Sequence, residues 1–148
     1  MKMALLTCLF LLLGCMAFAL SSYTDTETFT LDTVAPSLAL SSPNGGETWY
    51  IGDTHNITWT ASDTNLSPNS VFLWYSTNNG SSYTPLAEGI LNDGSELWTM
   101  PSLQSYNAKV KVRVADSYGN LSLKVSAAPF SITYVPPAAP EGVSVDTT

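Results

Sequence analysis

Charge is scarce in this chain, and positive charge scarcer still. Asp, Glu, Lys and Arg make up 11% of the 148 residues; five side chains are basic and twelve acidic, for a net charge of −7. A nucleic-acid binder needs a basic surface to neutralise phosphate, so that class is excluded. Docking on anionic lipid headgroups is excluded for the same reason. Cysteine is nearly absent, limited to Cys8 and Cys15, and His55 is the single histidine. No apolar run reaches the roughly 20 residues that a bilayer span requires. Nor does any stretch sustain a 3.6-residue apolar period, so a helical architecture is excluded. Four Trp, seven Tyr and many β-branched residues remain, enough for a packed globule rather than a disordered chain.

The first residues read as a targeting device. Met1-Lys2 is a short positive start, residues 3–13 are almost wholly apolar, and Ala17-Phe18-Ala19 is the small-x-small pattern of a signal-peptidase site. Residues 1–19 are therefore expected to be a signal peptide cleaved after Ala19, which implies a secreted or cell-surface protein. In the competing reading, Leu12-Leu13-Gly14-Cys15 is a lipobox and Cys15 carries a lipid anchor. Both routes lead out of the cytoplasm, and no transmembrane segment is expected after cleavage. Cleavage after Ala19 leaves no thiol, hence no disulfide, thiolate metal site or cysteine nucleophile.

Strict alternation takes the place of helical periodicity. Ile57, Trp59 and Ala61 fall on one face of a strand. In Lys109-Val110-Lys111-Val112-Arg113-Val114 three valines face one way and three cations the other; Phe130, Ile132 and Tyr134 alternate with hydroxyls. Leu38-Ala39-Leu40 and Leu97-Trp98-Thr99-Met100 are shorter candidates, and the wholly apolar Val71–Tyr75 reads as a strand covered on both faces. Pro43-Asn44-Gly45-Gly46, Asn78-Asn79-Gly80, Asn92-Asp93-Gly94 and Tyr118-Gly119-Asn120 supply the turns. About seven short strands at such spacing predict an all-β fold, an immunoglobulin/fibronectin-like antiparallel β-sandwich over residues 36–135, with Trp59 and Trp98 anchoring its core. Residues 20–35 read as a Ser/Thr-rich acidic linker or N-terminal extension. Residues 136–148 read as a Pro-rich linker and the opening of a truncated next domain.

One family resemblance rests on particular residues. Ser42-Pro43-Asn44-Gly45-Gly46-Glu47-Thr48-Trp49, followed by Gly52 and by Ile57-Thr58-Trp59, resembles the opening of a family of immunoglobulin-like extracellular modules. That family is related to the N-terminal domain of yeast Ser/Thr-rich GPI-anchored cell-wall proteins. The likeness continues through Val71-x-Leu73-x-Tyr75, Asn92-Asp93-Gly94, Trp98-Thr99-Met100-Pro101 and Val110-x-Val112-x-Val114 to Phe130-x-Ile132, roughly residues 38–134. Met100 departs mildly from the pattern, which more often has Val before Pro. Asp32-Thr33-Val34-Ala35-Pro36 is similar to the junction between tandem bacterial Ig-like repeats. Pro137–Val143 resembles the start of a fibronectin type III domain. The resemblance implies a module of a larger surface or secreted protein, whose partners are neighbouring modules or a cell-wall polysaccharide.

Residues able to carry chemistry are few. His55 has no Gly-x-Ser-x-Gly serine to serve and reads as a solvated loop histidine. Asp93 with Glu96, and Asp53 with Asp63, are the carboxylate pairs worth weighing for glycoside hydrolysis; all lie in turn-like contexts that favour Asp for backbone reasons. No enzyme is expected on this evidence. No cofactor is required, with calcium the one inorganic candidate: Asp63, Asn65, Asp116 and Asn120 put hard oxygen ligands in loops, although turn formation alone accounts for both segments. If Val71, Leu73 and Tyr75 face the core, Phe72 and Trp74 lie on an outer sheet face, where exposed aromatics stack on sugars. The leading expectation is a non-catalytic spacer or adhesion module. A carbohydrate-binding module using Phe72 and Trp74 is the alternative, and an accessory fragment of a secreted hydrolase a weaker one.

Overall fold

The computed structural model describes residues 31–138. The expected leader with Cys15 and Ala19, most of the acidic linker and residues 139–148 lie outside the described residues. Within them the chain forms nine strands: β1 (Ser37–Ser42), β2 (Thr48–Tyr50), β3 (Thr54–Ser62), β4 (Leu66–Ser76), β5 (Thr84–Ile90), β6 (Ser95–Thr99), β7 (Ser105–Asp116), β8 (Leu121–Val125) and β9 (Phe130–Thr133). No helix among the described residues is long and apolar enough to cross a membrane.

The strands make two sheets. One has the order β1-β3-β6; the other has the order β2-β9-β7-β4-β5, with β8 also paired to β7. β7 is long enough to carry two partners on one edge, β9 along its first half and β8 along its second. β1 with β2, and β8 with β9, behave as halves of two interrupted strands. Counted so, the sandwich has the seven positions expected from the sequence, in the order of an immunoglobulin-like fold. One pairing departs from the antiparallel expectation: β2 runs parallel to β9, Thr48 opposite Ser131 and Tyr50 opposite Thr133. It arises because the chain leaves the first sheet after Ser42 and joins the second beside β9.

Period-two burial produces the core. Leu38 and Leu40 of β1, Ile57 and Trp59 of β3, and Trp98 of β6 point inward from the smaller sheet. Val71 and Leu73 of β4, Val110, Val112 and Val114 of β7, and Phe130 and Ile132 of β9 meet them from the larger. Trp59 and Trp98 are 2% and 8% exposed. The Trp59 indole NH donates to Asn92 Oδ1 at 2.9 Å, and Asn92 Nδ2 donates to the Ala61 carbonyl at 3.1 Å. The Asn92-Asp93-Gly94 turn thereby satisfies the one polar atom that this large side chain takes into the core.

The Ser-Pro-Asn-Gly-Gly-Glu segment is the crossover between the two sheets. Asn44 and Gly45 donate their NH groups to the two Glu47 carboxylate oxygens at 2.7 and 2.8 Å. Gly46 N donates to the Pro129 carbonyl, and Ala128 N to the Asn44 carbonyl. Buried Ser126 donates its hydroxyl to the Pro43 carbonyl at 2.8 Å and accepts from Val110 N at 3.0 Å. The interruption between β1 and β2 is thus docked on the interruption between β8 and β9. Gly45 holds φ +129°, and a Cβ there would lie 2.8 and 2.9 Å from the Ala128 Cα and N atoms, so only glycine fits.

Candidate functional site

Two surfaces gather the residues that can act. At one pole, the β3–β4 turn (Asp63–Asn65), the β7–β8 turn (Asp116–Asn120) and Asp32, which precedes β1, come together. One carboxylate oxygen from each of Asp32, Asp63 and Asp116 lies within 4.8 Å of the other two. Asp32 is latched there: its Oδ2 accepts from Asn65 Nδ2 at 2.6 Å and its carbonyl accepts from Asn120 Nδ2 at 3.1 Å. Just beyond, Ser122 donates its hydroxyl to the Pro36 carbonyl. The turns are joined to each other by Ser117 N donating to the Asn65 carbonyl at 3.0 Å.

Asp116 is the innermost carboxylate, 6% exposed. Burial pushes its carboxyl up. Hydrogen bonds from the Asn120 side chain and from the backbone NH groups of Asn120, Tyr118 and Gly119 outweigh burial and hold it below the usual carboxylate range. Three carboxylates this close repel one another unless NH donors or a cation compensate. Their mutual spacing suits a hard cation: oxygens about 2.4 Å from a calcium ion stand up to about 4.8 Å apart.

The structure brings all four sequence candidates, Asp63, Asn65, Asp116 and Asn120, to this pole and adds Asp32, which lies in the stretch whose sequence reads as a linker. Only tertiary contact reveals Asp32; the single hint was its place in the Asp-Thr-Val-Ala-Pro junction. Asp53 stands at the opposite end of β3 from Asp63, roughly 30 Å along the strand, so those two carboxylates share no site. Asp93 and Glu96 do line one open cleft of about 340 Å³, with Asn69, Gly89, Ile90 and Leu91. Asp93 Oδ1 accepts from Ser95 N at 3.2 Å, the turn role its context implies.

The second surface is the outer face of the larger sheet. Phe72 and Trp74 are half-buried and stacked on each other, ring centroids 6.2 Å apart. Cations from β7 cover them: the Arg113 guanidinium lies 4.3 Å from the Phe72 centroid and 5.5 Å from that of Trp74. The Lys111 ammonium lies 4.6 Å from the Trp74 centroid and 4.1 Å from that of Tyr83. The wholly apolar Val71–Tyr75 run is thereby explained, with core on one face and a cation–aromatic ladder on the other.

His55 corrects the sequence reading. It lies inside β3 rather than in a loop, opposite Trp98 on β6, and its ring stacks on Trp49 with centroids 4.5 Å apart and planes within 3°. Its Nε2 is buried without a hydrogen-bond partner. Trp49, which also packs on Phe130, is the core aromatic that the pattern missed, because β2 is only three residues long and shows no alternation.

No family model matches the chain, and no curated protein matches it. Among solved structures, a mutant of the SrpA adhesin from Streptococcus sanguinis matches with a TM-score of 0.41 and 17% identity, over 71% of this chain. The match spans 57% of that adhesin chain. The strand order and registers above define the fold.

Proposed function

We propose that this chain is a non-catalytic extracellular immunoglobulin-like module, a spacer or adhesion domain of a secreted or surface protein, whose upstream junction is stiffened by a calcium ion. One observation carries the reading: Asp32, at the point where the chain enters the sandwich, is held by both turns of the module and shares their carboxylate cluster. A spacer transmits distance only if its linkers do not swing. Neutralising three clustered acids with a hard cation would fix this one.

Calorimetric calcium titration of the full chain, with a chelated control, tests this. At a hundredfold excess over Kd, binding to the folded state alone stabilises by about 2.7 kcal/mol, which raises Tm by about 10 °C in a domain of this size. Asp63→Asn should abolish both the heat and the shift. Calcium should also slow proteolysis within residues 31–36. Absence of heat, shift and protection defeats the reading.

A second reading is favoured by the ladder of Phe72, Trp74, Lys111 and Arg113 on the outer face: a carbohydrate-binding module, with a cell-wall polysaccharide as partner. The acids of the Asp93–Glu96 cleft leave the accessory fragment of a secreted hydrolase as the weakest alternative.

A further inference from the structure

We infer that the outer face of the larger sheet binds an acidic polysaccharide, a linear chain of uronic acid sugars, along β7. The inference rests on the carbohydrate-binding reading and names its ligand class.

Charge placement comes first. Beyond Lys2, the chain's only cations are Lys109, Lys111, Arg113 and Lys124, on the adjoining strands β7 and β8. The first three share the outward parity of β7, since Val110, Val112 and Val114 are fully buried. They recur about every 6.6 Å and span about 13 Å. Among the described residues this row gathers three of the four cations, so it is where an anion meets the most positive charge. Lys111 and Arg113 lie over aromatic rings, and Arg113 Nε is buried without a hydrogen-bond partner.

Register gives the surroundings. One row across the sheet reads Glu88, Phe72, Arg113, Leu123, and the next reads Pro85, Trp74, Lys111, Val125. Aromatic rings flank the cations on one side. Apolar side chains flank them on the other, where Leu121 and Leu123 are 55% and 52% exposed. A polymer that is both apolar and anionic matches this mixture. The C–H face of a sugar ring packs on Leu123, Val125 and the ring edges, while its carboxylate meets the guanidinium or ammonium. Cation–aromatic packing pre-sets the two long side chains, so less entropy is lost on binding. A polynucleotide is a poorer fit: a duplex carries a charge about every 1.7 Å, beyond what three cations on an acidic body can neutralise.

Affinity electrophoresis of the full chain tests this, in chelator to exclude calcium bridging and at roughly 0.15 M salt. The probes are polygalacturonate, its methyl ester and poly-L-glutamate. Polygalacturonate should retard the chain and the other two should not. The double variant Lys111→Gln/Arg113→Gln, its fold checked by near-ultraviolet circular dichroism, should bind about tenfold more weakly or worse. Equal retardation by poly-L-glutamate overturns the sugar component and leaves an acidic protein, including a second copy of this chain, as the partner. Equal retardation by the methyl ester, unaltered in the double variant, overturns the acidic component and leaves a neutral glycan. No retardation by either saccharide defeats this proposal and the carbohydrate reading together, while the calcium-stiffened spacer stands or falls on its own titration.

Discussion

Asp116 shows how one side chain ties local turn chemistry to the candidate site. Its carboxylate closes the β7–β8 turn by accepting from Tyr118 N at 2.9 Å and Asn120 N at 2.8 Å, and its second oxygen accepts from Asn120 Nδ2 at 2.8 Å. These bonds favour the charged form, so its folded pKa is lower than its unfolded one. The linked stability is present above the unfolded value, near the ordinary carboxylate range, and is lost as pH falls through the folded value. Asp116→Asn should therefore be less stable than the parent at neutral pH, with the difference closing on acidification. Urea midpoints at about pH 7 and about pH 2 check this; a difference that stays constant refutes the linkage. Asp and Asn in this turn were legible as turn formers from sequence. That the same carboxylate also lies beside Asp32 and Asp63 was not, because Asp63 is 31 residues from Asp32 and 53 from Asp116 along the chain.

Among the elements, the crossover from β1 to β2 shows why a sequence motif is specific. Its side-chain and backbone groups are consumed by the interruption between β8 and β9, which leaves the motif a structural device. Gly45→Ala places a methyl group against Ala128 in a conformation that L-residues rarely adopt. We expect a loss of about 2–4 kcal/mol, read from equilibrium denaturation, whereas Gly46→Ala, with open space around its Cβ, should cost less. Equal costs would refute the docking of the two interruptions. Strands with clean alternation, such as β3 and β7, were readable from sequence. β5 and β8 were not: both are edge strands, β5 carries Pro85 and Gly89 with bulged pairing to β4, and neither keeps a dry face against a polar one.

For the whole molecule, stability comes from two apolar sheet faces pressed together, with Trp49, Trp98 and Phe130 in mutual contact at one end of the interface. Both cysteines precede the described residues, so no disulfide staples the sandwich. A thiol reductant should leave its unfolding midpoint unchanged in guanidinium titrations followed by tryptophan fluorescence; a downward shift would show a cross-link that this packing does not need. The sequence alone determined the all-β class, the core valines with Trp59 and Trp98, and the outward placement of Phe72 and Trp74, because period-two alternation reports directly which side of a pleated strand meets water. Tertiary structure alone decided the rest: Asp32 joining Asp63 and Asp116, cations lying over aromatics, and His55 stacked on Trp49. Each of these depends on which distant strands and turns become neighbours, and a local pattern holds no record of that distance.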